Sequence, residues 1–255
     1  MGHIYSQSFF TYINRSASAS AEAFVEYLFP LLRPRSVLDL GCGQGAWLAR
    51  WQAAGVSDIS GVDGAYVDPD SLLIDRDAFR AADLTAPVPL DRRFDLAQSL
   101  EVGEHLPLSA AERLVETLTE ASDRVLFSAA VPGQGGEFHI NEQPLAFWQD
   151  LFATRGYTAY DCLRPQFRAN RAVAPWYRYN AILYVSSAAR TDLPEAILQT
   201  ELPDGARLRE GGDPLWRMRR AVVARLPRPA VTQIARLRAA LLAAMARQRA
   251  RSVQS

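Results

Sequence analysis

The sequence contains no lysine, so all 28 of its basic residues are arginines. The absence of lysine excludes enzymes that form a Schiff base through a lysine amine, and those that use a lysine as general base. Histidine is also scarce, with three residues in a chain of 255. His105 and His139 lie in the body of the chain, whereas His3 lies near its amino terminus. Because a neutral imidazole is the group best suited to accept a proton near pH 7, His105 and His139 are the candidate bases.

Cysteines and long apolar runs are few as well. The two cysteines, Cys42 and Cys162, cannot form a disulfide framework, and both fall in segments where small buried side chains are expected. No apolar run approaches the roughly 20 residues needed to span a bilayer. The first five residues lack the basic and then apolar composition of a secretory signal. We therefore expect a cytoplasmic protein.

The net charge is zero, but the charges are unevenly distributed. Residues 206–255 contain twelve arginines against Glu210 and Asp213, which gives this segment a net charge of about +10. Its pattern predicts two helices, over 214–226 and 229–249. The interpretation that we favour is an Arg-rich extension packed on the domain or on a second copy of the chain, so a homodimer is one partner to consider.

Two other roles of this extension are weighed against packing. A basic amphipathic helix can lie on a membrane surface, so peripheral membrane contact through the extension stays an alternative. An RNA-binding tail is disfavoured, because the aromatic side chains needed for base stacking are absent after Trp216.

The most informative motif spans residues 36–45. An apolar run at 36–40 leads into glycines at alternate positions, Gly41, Gly43 and Gly45, and a helical pattern follows from Ala46. Glycine is needed where the backbone turns with positive φ or where a ligand lies against bare main chain. The helix beyond offers unpaired N–H groups at its start. This order predicts the first strand–loop–helix turn of a nucleotide-cofactor site.

Acidic residues at the ends of the next apolar runs support such a site. Asp63 follows the run Ile59–Val62, at the position where nucleotide-binding α/β folds hold ribose hydroxyls with a carboxylate. Asp83 and Leu84 end a third short run. A fourth run predicts a strand over 94–100, which continues into Glu101.

Asp39-x-Gly41-x-Gly43-x-Gly45 resembles motif I of class I S-adenosylmethionine (SAM) methyltransferases. Residues from about 5 to 187 are similar to the bacterial members that modify small molecules and sugars. The resemblance implies SAM as cofactor and S-adenosylhomocysteine (SAH) as product. It also implies that Asp83 and Leu84 hold the adenine. The cofactor-binding residues it implies are Asp39, Gly41, Cys42, Gly43, Gly45, Asp63, Asp83, Leu84, Ser99, Leu100 and Glu101.

Alternating strands and helices predict an α/β fold of this Rossmann-like type. We expect a mainly parallel seven-stranded sheet with helices on both faces and a C-terminal helical extension. The predicted strands cover 36–40, 58–63, 78–82, 94–100, 124–130, 157–163 and 180–185. The predicted domain divisions are an N-terminal helix and substrate-covering flap at 1–35, the SAM-binding core at 36–188 and the extension at 189–255. The aromatic residues expected in the flap are Tyr5, Phe9, Phe10 and Tyr12.

The acceptor side is predicted from residues that follow the fourth and fifth strands. Glu104 and His105 follow the fourth strand, and His139 follows the glycine-rich loop Pro132–Gly136. Methyl transfer to a hydroxyl needs alignment of the reactants, exclusion of water and a base. We assign His139 or His105 as that base and Glu104 as the residue that orients it. The hypothesis is an enzyme that methylates a hydroxyl of a small metabolite or sugar-like acceptor.

Two alternatives come from other classes. The set Glu101, Glu104, His105 and His139 resembles the two-Glu, two-His metal site of methyltransferases that modify the terminal 2′-hydroxyl of small RNAs. A divalent ion held there would lower the pKa of a ribose or other vicinal hydroxyl. We favour a site without a metal and a small molecule over RNA as acceptor. The second alternative is a non-catalytic SAM-binding scaffold, recruited by its basic C-terminal helix.

Overall fold

The computed structural model of this protein describes residues 7–227, 229–237 and 241. Within these residues seven strands form one sheet in the order β3-β2-β1-β4-β5-β7-β6. The strands are β1 (Ser36–Leu40), β2 (Asp58–Asp63), β3 (Phe79–Ala81), β4 (Leu96–Leu100), β5 (Arg124–Ser128), β6 (Tyr157–Tyr160) and β7 (Ile182–Ser186). Neighbours among β1–β5 pair in parallel, whereas β7 is antiparallel to both β5 and β6. The prediction of a mainly parallel, seven-stranded, Rossmann-like sheet is confirmed.

Helices cover both faces of the sheet. They are α1 (Gln7–Leu32), α2 (Ala46–Ala53), α3 (Ala111–Ala121), α4 (Leu145–Ala153), α5 (Arg164–Phe167), α6 (Pro175–Asn180), α7 (Glu195–Leu198) and α8 (Pro214–Val223). Residues 229–237 are also helical. Val37 of β1 packs with α1 and α2 in one core cluster, whereas its neighbour Leu38 packs with α3 and α4 in another. Alternation of side chains along a strand therefore feeds two separate cores.

Several element boundaries differ from those predicted. Helix α1 begins at Gln7 rather than near residue 17, so Phe9, Phe10 and Tyr12 belong to a helix, and Tyr5 lies outside the described residues. Strand β7 begins at Ile182 because Pro175 starts a helix that runs to Asn180. Proline suits the first turn of a helix, which explains this outcome. The predicted C-terminal helix is described over 229–237 and at residue 241, and its other residues lie outside the described part of the chain.

No helix among the described residues is both long enough and apolar enough to cross a membrane.

A buried hydrogen bond fixes α2 against the sheet. The indole N–H of Trp51 donates to Gln98 Oε1 over 2.9 Å, and both side chains are fully buried. Trp51 belongs to α2 and Gln98 to β4, so this bond joins the helix that follows the glycine loop to the centre of the sheet. A buried amide oxygen that loses its donor keeps the cost of its desolvation.

We predict that Trp51→Phe lowers the free energy of unfolding by about 2 kcal/mol, because Gln98 Oε1 loses its donor inside the core. Urea denaturation of the purified protein measures the change. The double variant Trp51→Phe/Gln98→Leu is expected to recover part of the loss, since it removes the unpaired oxygen. A single-variant loss below about 0.5 kcal/mol would show that the bond has little importance for stability.

Candidate active site

The loop after β1 exposes its backbone to a cavity. Gly41 has φ +85°, and a Cβ there would fall 2.3 Å from Cγ2 of Val102, so the position excludes any other residue. Gly43 has φ +55°, and a Cβ there would meet nothing within 4 Å. Gly43 therefore leaves bare main chain facing open space, as a site for a close-lying ligand requires. Gly45 adopts φ 84° as the N-cap of α2.

Asp63 at the end of β2 is tied to this loop. Its Oδ2 accepts the N–H of Gly43 at 2.6 Å, and its Oδ1 accepts the N–H of Gly64 at 2.6 Å and the hydroxyl of Tyr66 at 2.5 Å. The side chain is buried, and burial raises the pKa of this carboxyl against the opposing effect of the three hydrogen bonds. Asp63 is thus a fixed acceptor at the strand end, oriented by backbone and side-chain donors together.

A second buried carboxyl, Asp39, lies in β1 just before the loop. Burial raises its pKa to about 7, Gln98 opposes that rise, and the nearby Asp63 adds to it. Asp39 Oδ2 is buried and has no hydrogen-bond partner among the described residues. Two carboxyls in one buried region disfavour each other's ionisation and favour a cationic ligand. SAM carries a positively charged sulfonium, so the two carboxyls and the open space beside Gly43 fit this cofactor.

A cavity of about 550 Å³ opens at the carboxyl edge of the strands. This volume is typical of small-molecule sites, and the position is where ligands bind in such sheets. The predicted site residues in its wall are Gly41, Cys42, Gly43, Asp63, Asp83, Leu84, Leu100, Glu101, Glu104, His105 and His139. Three other predicted site residues do not line the cavity as the described residues define it: Asp39, Gly45 and Ser99. Ser99 is fully buried in β4, and its hydroxyl has no partner in the described part of the chain.

Asp83 and Leu84 differ in exposure at one side of the cavity. Leu84 is buried and packs in the core cluster of α3 and α4. Asp83 is exposed, and its Oδ1 accepts from the N–H and hydroxyl of Thr85 at 2.9 and 2.7 Å. These hydrogen bonds lower the pKa of Asp83, hydrogen bonding by the Thr85 hydroxyl being the larger cause. The carboxylate thereby closes the turn after β3 and remains at the cavity edge.

Side chains from three separate segments meet at Gln134. Its side-chain amide donates to Glu101 Oε2 at 2.5 Å and accepts from Asn180 Nδ2 at 2.7 Å. Glu101 adopts φ 59°, which is uncommon for a residue with a side chain. Such a conformation persists only where the surroundings enforce it, and it concentrates at functional sites. Gln134 and Asn180 were not predicted as site residues, since nothing local in the sequence shows that they pair.

Glu104 is the most deeply buried acid of the site. Its side chain is fully buried, and neither carboxylate oxygen accepts a hydrogen bond from the residues that the structure describes. Burial, reinforced by the nearby Glu101, raises its pKa well above the usual range. One ligand-type atom each of Glu104, His105 and His139 lies within 4.8 Å of the others. The cluster can therefore share a proton or hold a cation.

The two histidines differ in environment. Burial lowers the pKa of His105 to about 3, and His139 adds to the effect, so His105 is neutral at physiological pH. His139 Nδ1 lies 2.9 Å from Glu142 Oε1, and its Nε2 lies 4.0 Å from Glu104 Oε1. The two rings meet edge to face with centroids 4.9 Å apart. A carboxylate at Nδ1 holds the proton on that nitrogen and leaves Nε2 as an acceptor.

Glu142 also organises the glycine-rich loop that precedes His139. Its carboxylate accepts the N–H groups of Gly133 and Gly135 at 2.8 and 2.7 Å. The N–H groups of Ile140 and Asn141 both donate to the carbonyl of Glu104, at 2.9 and 3.0 Å. Hydrogen bonds before and after His139 in the chain therefore hold its loop in place.

The C-terminal arm, which we define as α8 together with helical residues 229–237, forms a further part of the wall. Trp216, Arg219 and Val223 contribute from α8, and Val231 and Ile234 from the second helix. No site residue is predicted from the sequence in this part of the chain. The arrangement as a whole is a nucleotide-type cofactor site beside an acid–histidine cluster, which is the arrangement expected of a group-transfer enzyme.

Comparison with known proteins agrees with this class. The methyltransferase-domain family matches residues 13–158, more than half of the chain. The protein therefore belongs to the methyltransferase-domain family. No curated protein matches the chain by sequence.

Solved structures show the same fold. DesVI of Streptomyces venezuelae is 13% identical, with a TM-score of 0.50 over 70% of this chain and 96% of that one. Magnesium protoporphyrin IX methyltransferase of Synechocystis PCC 6803, solved with bound SAM, is 18% identical, with a TM-score of 0.50 over 73% of this chain and 87% of that one. The predictions of a class I SAM-dependent methyltransferase and of its cofactor are confirmed.

We predict that Asp39→Asn stabilises the ligand-free protein at pH 8 by on the order of 2 kcal/mol. The pKa of Asp39 is about 7 in the folded protein, whereas an unfolded chain gives about 4. Ionisation of Asp39 therefore lowers stability as the pH rises from about 4 to about 7, and the variant escapes that loss.

Urea denaturation at pH 4 and pH 8 measures this effect. The exposed Asp83→Asn is the matched control, because the pKa of Asp83 is lowered and its loss is not expected to stabilise the protein. An Asp39→Asn protein that is no more stable than wild type at pH 8 would contradict a raised pKa of Asp39 in the folded protein.

Proposed function

We propose that this methyltransferase transfers the methyl group of SAM to a hydroxyl of a small metabolite or sugar-like acceptor. The observation that carries the proposal is one cavity whose wall contains both the glycine loop with Asp63 and the His105–His139 pair. The first part is suited to a nucleoside and the second to the removal of a proton from a hydroxyl.

The residues that would hold the cofactor follow from their places in the wall. Gly41, Cys42 and Gly43 line the cavity, with bare backbone at Gly43, and Asp63 would accept a hydrogen bond from a ribose hydroxyl through Oδ2. Asp83 and Leu84 would hold the adenine, and Leu100 and Glu101 would line the methyl end of the cofactor. Asp39, Gly45 and Ser99 would act from behind the wall, by shaping the loop and the end of β4. When bound, SAM supplies an activated methyl group on sulfur.

The chain's own part in the reaction is alignment and proton removal. His139 is the proposed base, because Glu142 at its Nδ1 leaves Nε2 able to accept the hydroxyl proton. His105 stays neutral and orients the acceptor or His139, since its lowered pKa makes it a weak base. Glu104 lies 4.0 Å from His139 Nε2 and, in its ionised form, would stabilise the imidazolium once the proton has moved. The arm and α6 contribute residues to the cavity wall, which would limit the access of water to the reacting groups.

We predict that Asp63→Ala weakens SAM binding at least tenfold, because the ribose hydroxyls lose a fixed charged acceptor. Isothermal calorimetry with SAM and with SAH measures the change. Asp68→Ala serves as control, since Asp68 is exposed and its side chain accepts from Asp70 N–H in a neighbouring turn. Unchanged affinity in Asp63→Ala would remove Asp63 from the cofactor site.

We predict that His139→Asn lowers kcat for hydroxyl methylation by about 10²- to 10⁴-fold, as expected for loss of a general base, while SAM affinity changes less than about twofold. Transfer of label from methyl-labelled SAM measures kcat. His105→Asn is expected to be milder and to act mainly on KM. Equal activity of His139→Asn and wild type would exclude the proposed base.

A second candidate function is metal-assisted methylation of a vicinal diol. It is favoured by one observation, the compact group of Glu104, His105 and His139 with buried oxygens that have no partner in the described residues. These residues fit a divalent cation, with Glu142 orienting His139 from behind as such sites require. The bound ion would lower the pKa of a coordinated hydroxyl.

We predict that methyl transfer by the purified enzyme is unaffected by EDTA, since our main proposal needs no metal. Calorimetric titration with Mn²⁺ gives a second readout that does not depend on turnover. Saturable Mn²⁺ binding that Glu104→Gln weakens more than tenfold, and the exposed Glu112→Gln leaves unchanged, would favour the metal-assisted function instead.

A further inference from the structure

The C-terminal arm supplies an apolar wall to the cavity. Val223 of α8, Leu226 after it, and Val231 and Ile234 of the second helix all line the cavity. Leu226 and Ile234 keep 38% and 54% of their surface exposed, so they lie at its mouth. A ligand that covers exposed apolar side chains at a cavity mouth binds more favourably, because apolar surface is removed from water.

Arginines attach the arm to the loop that carries His139. Arg219 Nη1 donates to the carbonyl of Gln134 at 2.6 Å, and Arg220 donates twice to the carbonyl of Pro132, at 2.9 and 3.1 Å. Arg236 pairs with Glu137 at 2.8 Å, and its guanidinium lies 4.7 Å from the centre of the Phe138 ring. Three arginines of the arm thus make specific contacts with the core.

The glycines of this loop allow the arm to approach closely. A Cβ on Gly133 would fall 2.4 Å from the carbonyl oxygen of Arg220, and one on Gly135 would fall 2.7 Å from Val223 Cγ1 and 2.9 Å from Val231 Cγ1. A Cβ on Gly136 would fall 2.0 Å from His139 Nε2. The same short loop therefore contacts the apolar wall and the proposed base, which places the two close together.

We propose that the arm forms an acceptor subsite for an apolar group. The acceptor is then an amphiphile, with its hydroxyl at His139 and an aliphatic or aromatic group against Val223, Leu226, Val231 and Ile234. This inference rests on the proposed function and narrows it, because a bare sugar would set its hydroxyls against these apolar side chains without hydrogen-bond partners. A metabolite with an apolar flank would instead bury them.

The test is a chain-length series of 4-alkylphenols, from methyl to pentyl, titrated by calorimetry into the protein with and without saturating SAH. The phenol provides a hydroxyl and the alkyl group probes the arm, and no turnover is needed. We expect the dissociation constant to fall by up to about fourfold for each methylene that the subsite buries. A dissociation constant that does not depend on chain length, or no binding by any member, would overturn the inference.

Two variants in the same helix separate the subsite from unspecific binding. Ile234→Asp introduces a charge into the apolar wall and should abolish the dependence on chain length. Leu237→Asp makes the same change three residues on, at a side chain that is 70% exposed and outside the cavity wall as the described residues define it. It should behave as wild type. Equal loss in both variants would indicate binding to the exposed surface of the arm and contradict the subsite.

The same titrations distinguish failure of the inference from failure of the proposed function. SAH that binds, with alkylphenols that bind independently of chain length, overturns the apolar subsite and leaves the methyltransferase proposal intact. If SAH does not bind wild type, the proposed function fails. The series without SAH then still reports whether the subsite takes an apolar group. Circular dichroism of both variants checks that each is folded.

Discussion

The hydrogen bond from the Gly43 N–H to Asp63 is the interaction on which the site depends. At 2.6 Å it joins the loop after β1 to the end of β2, and it turns bare backbone toward the cavity. Burial of Asp63 beside Asp39 raises the pKa of both carboxyls. The protein therefore holds two buried acidic groups at a cost in free energy. Under the function that we propose, a cationic methyl donor offsets this cost, so that stability and cofactor binding are opposed at this point of the fold.

Much of the fold could be predicted because its signals are local. The spacing of Gly41, Gly43 and Gly45 and the alternation of apolar runs defined the sheet type and the edge that carries the site. The order of the strands depends on contacts between residues that are distant in sequence. Strand β7 lies between β5 and β6, and its own residues do not indicate that it pairs with β5. The boundary at Asn180 also depends on more than the residues of the strand. The pattern of 180–185 predicts a strand that begins at Asn180, but Asn180 is the last residue of the helix that Pro175 begins.

The acid–histidine cluster could be anticipated in part, since Glu104 and His105 are adjacent and follow a predicted strand. Its electrostatics could not, because the lowered pKa of His105 arises from burial by residues distant in sequence. The role of the arm was missed for a similar reason. Helical spacing indicated an amphipathic helix without indicating its partner, and Gly133 and Gly135, which allow the arm to pack closely, suggested only a loop.

The central claim is that one cavity brings SAM to a hydroxyl of a small acceptor. The most direct measurement is incubation of the purified protein with methyl-labelled SAM and separated cell fractions of small metabolites, glycans, RNA and protein. The account predicts label in the small-metabolite fraction, enriched in its less polar components. Label in RNA or protein alone would contradict it.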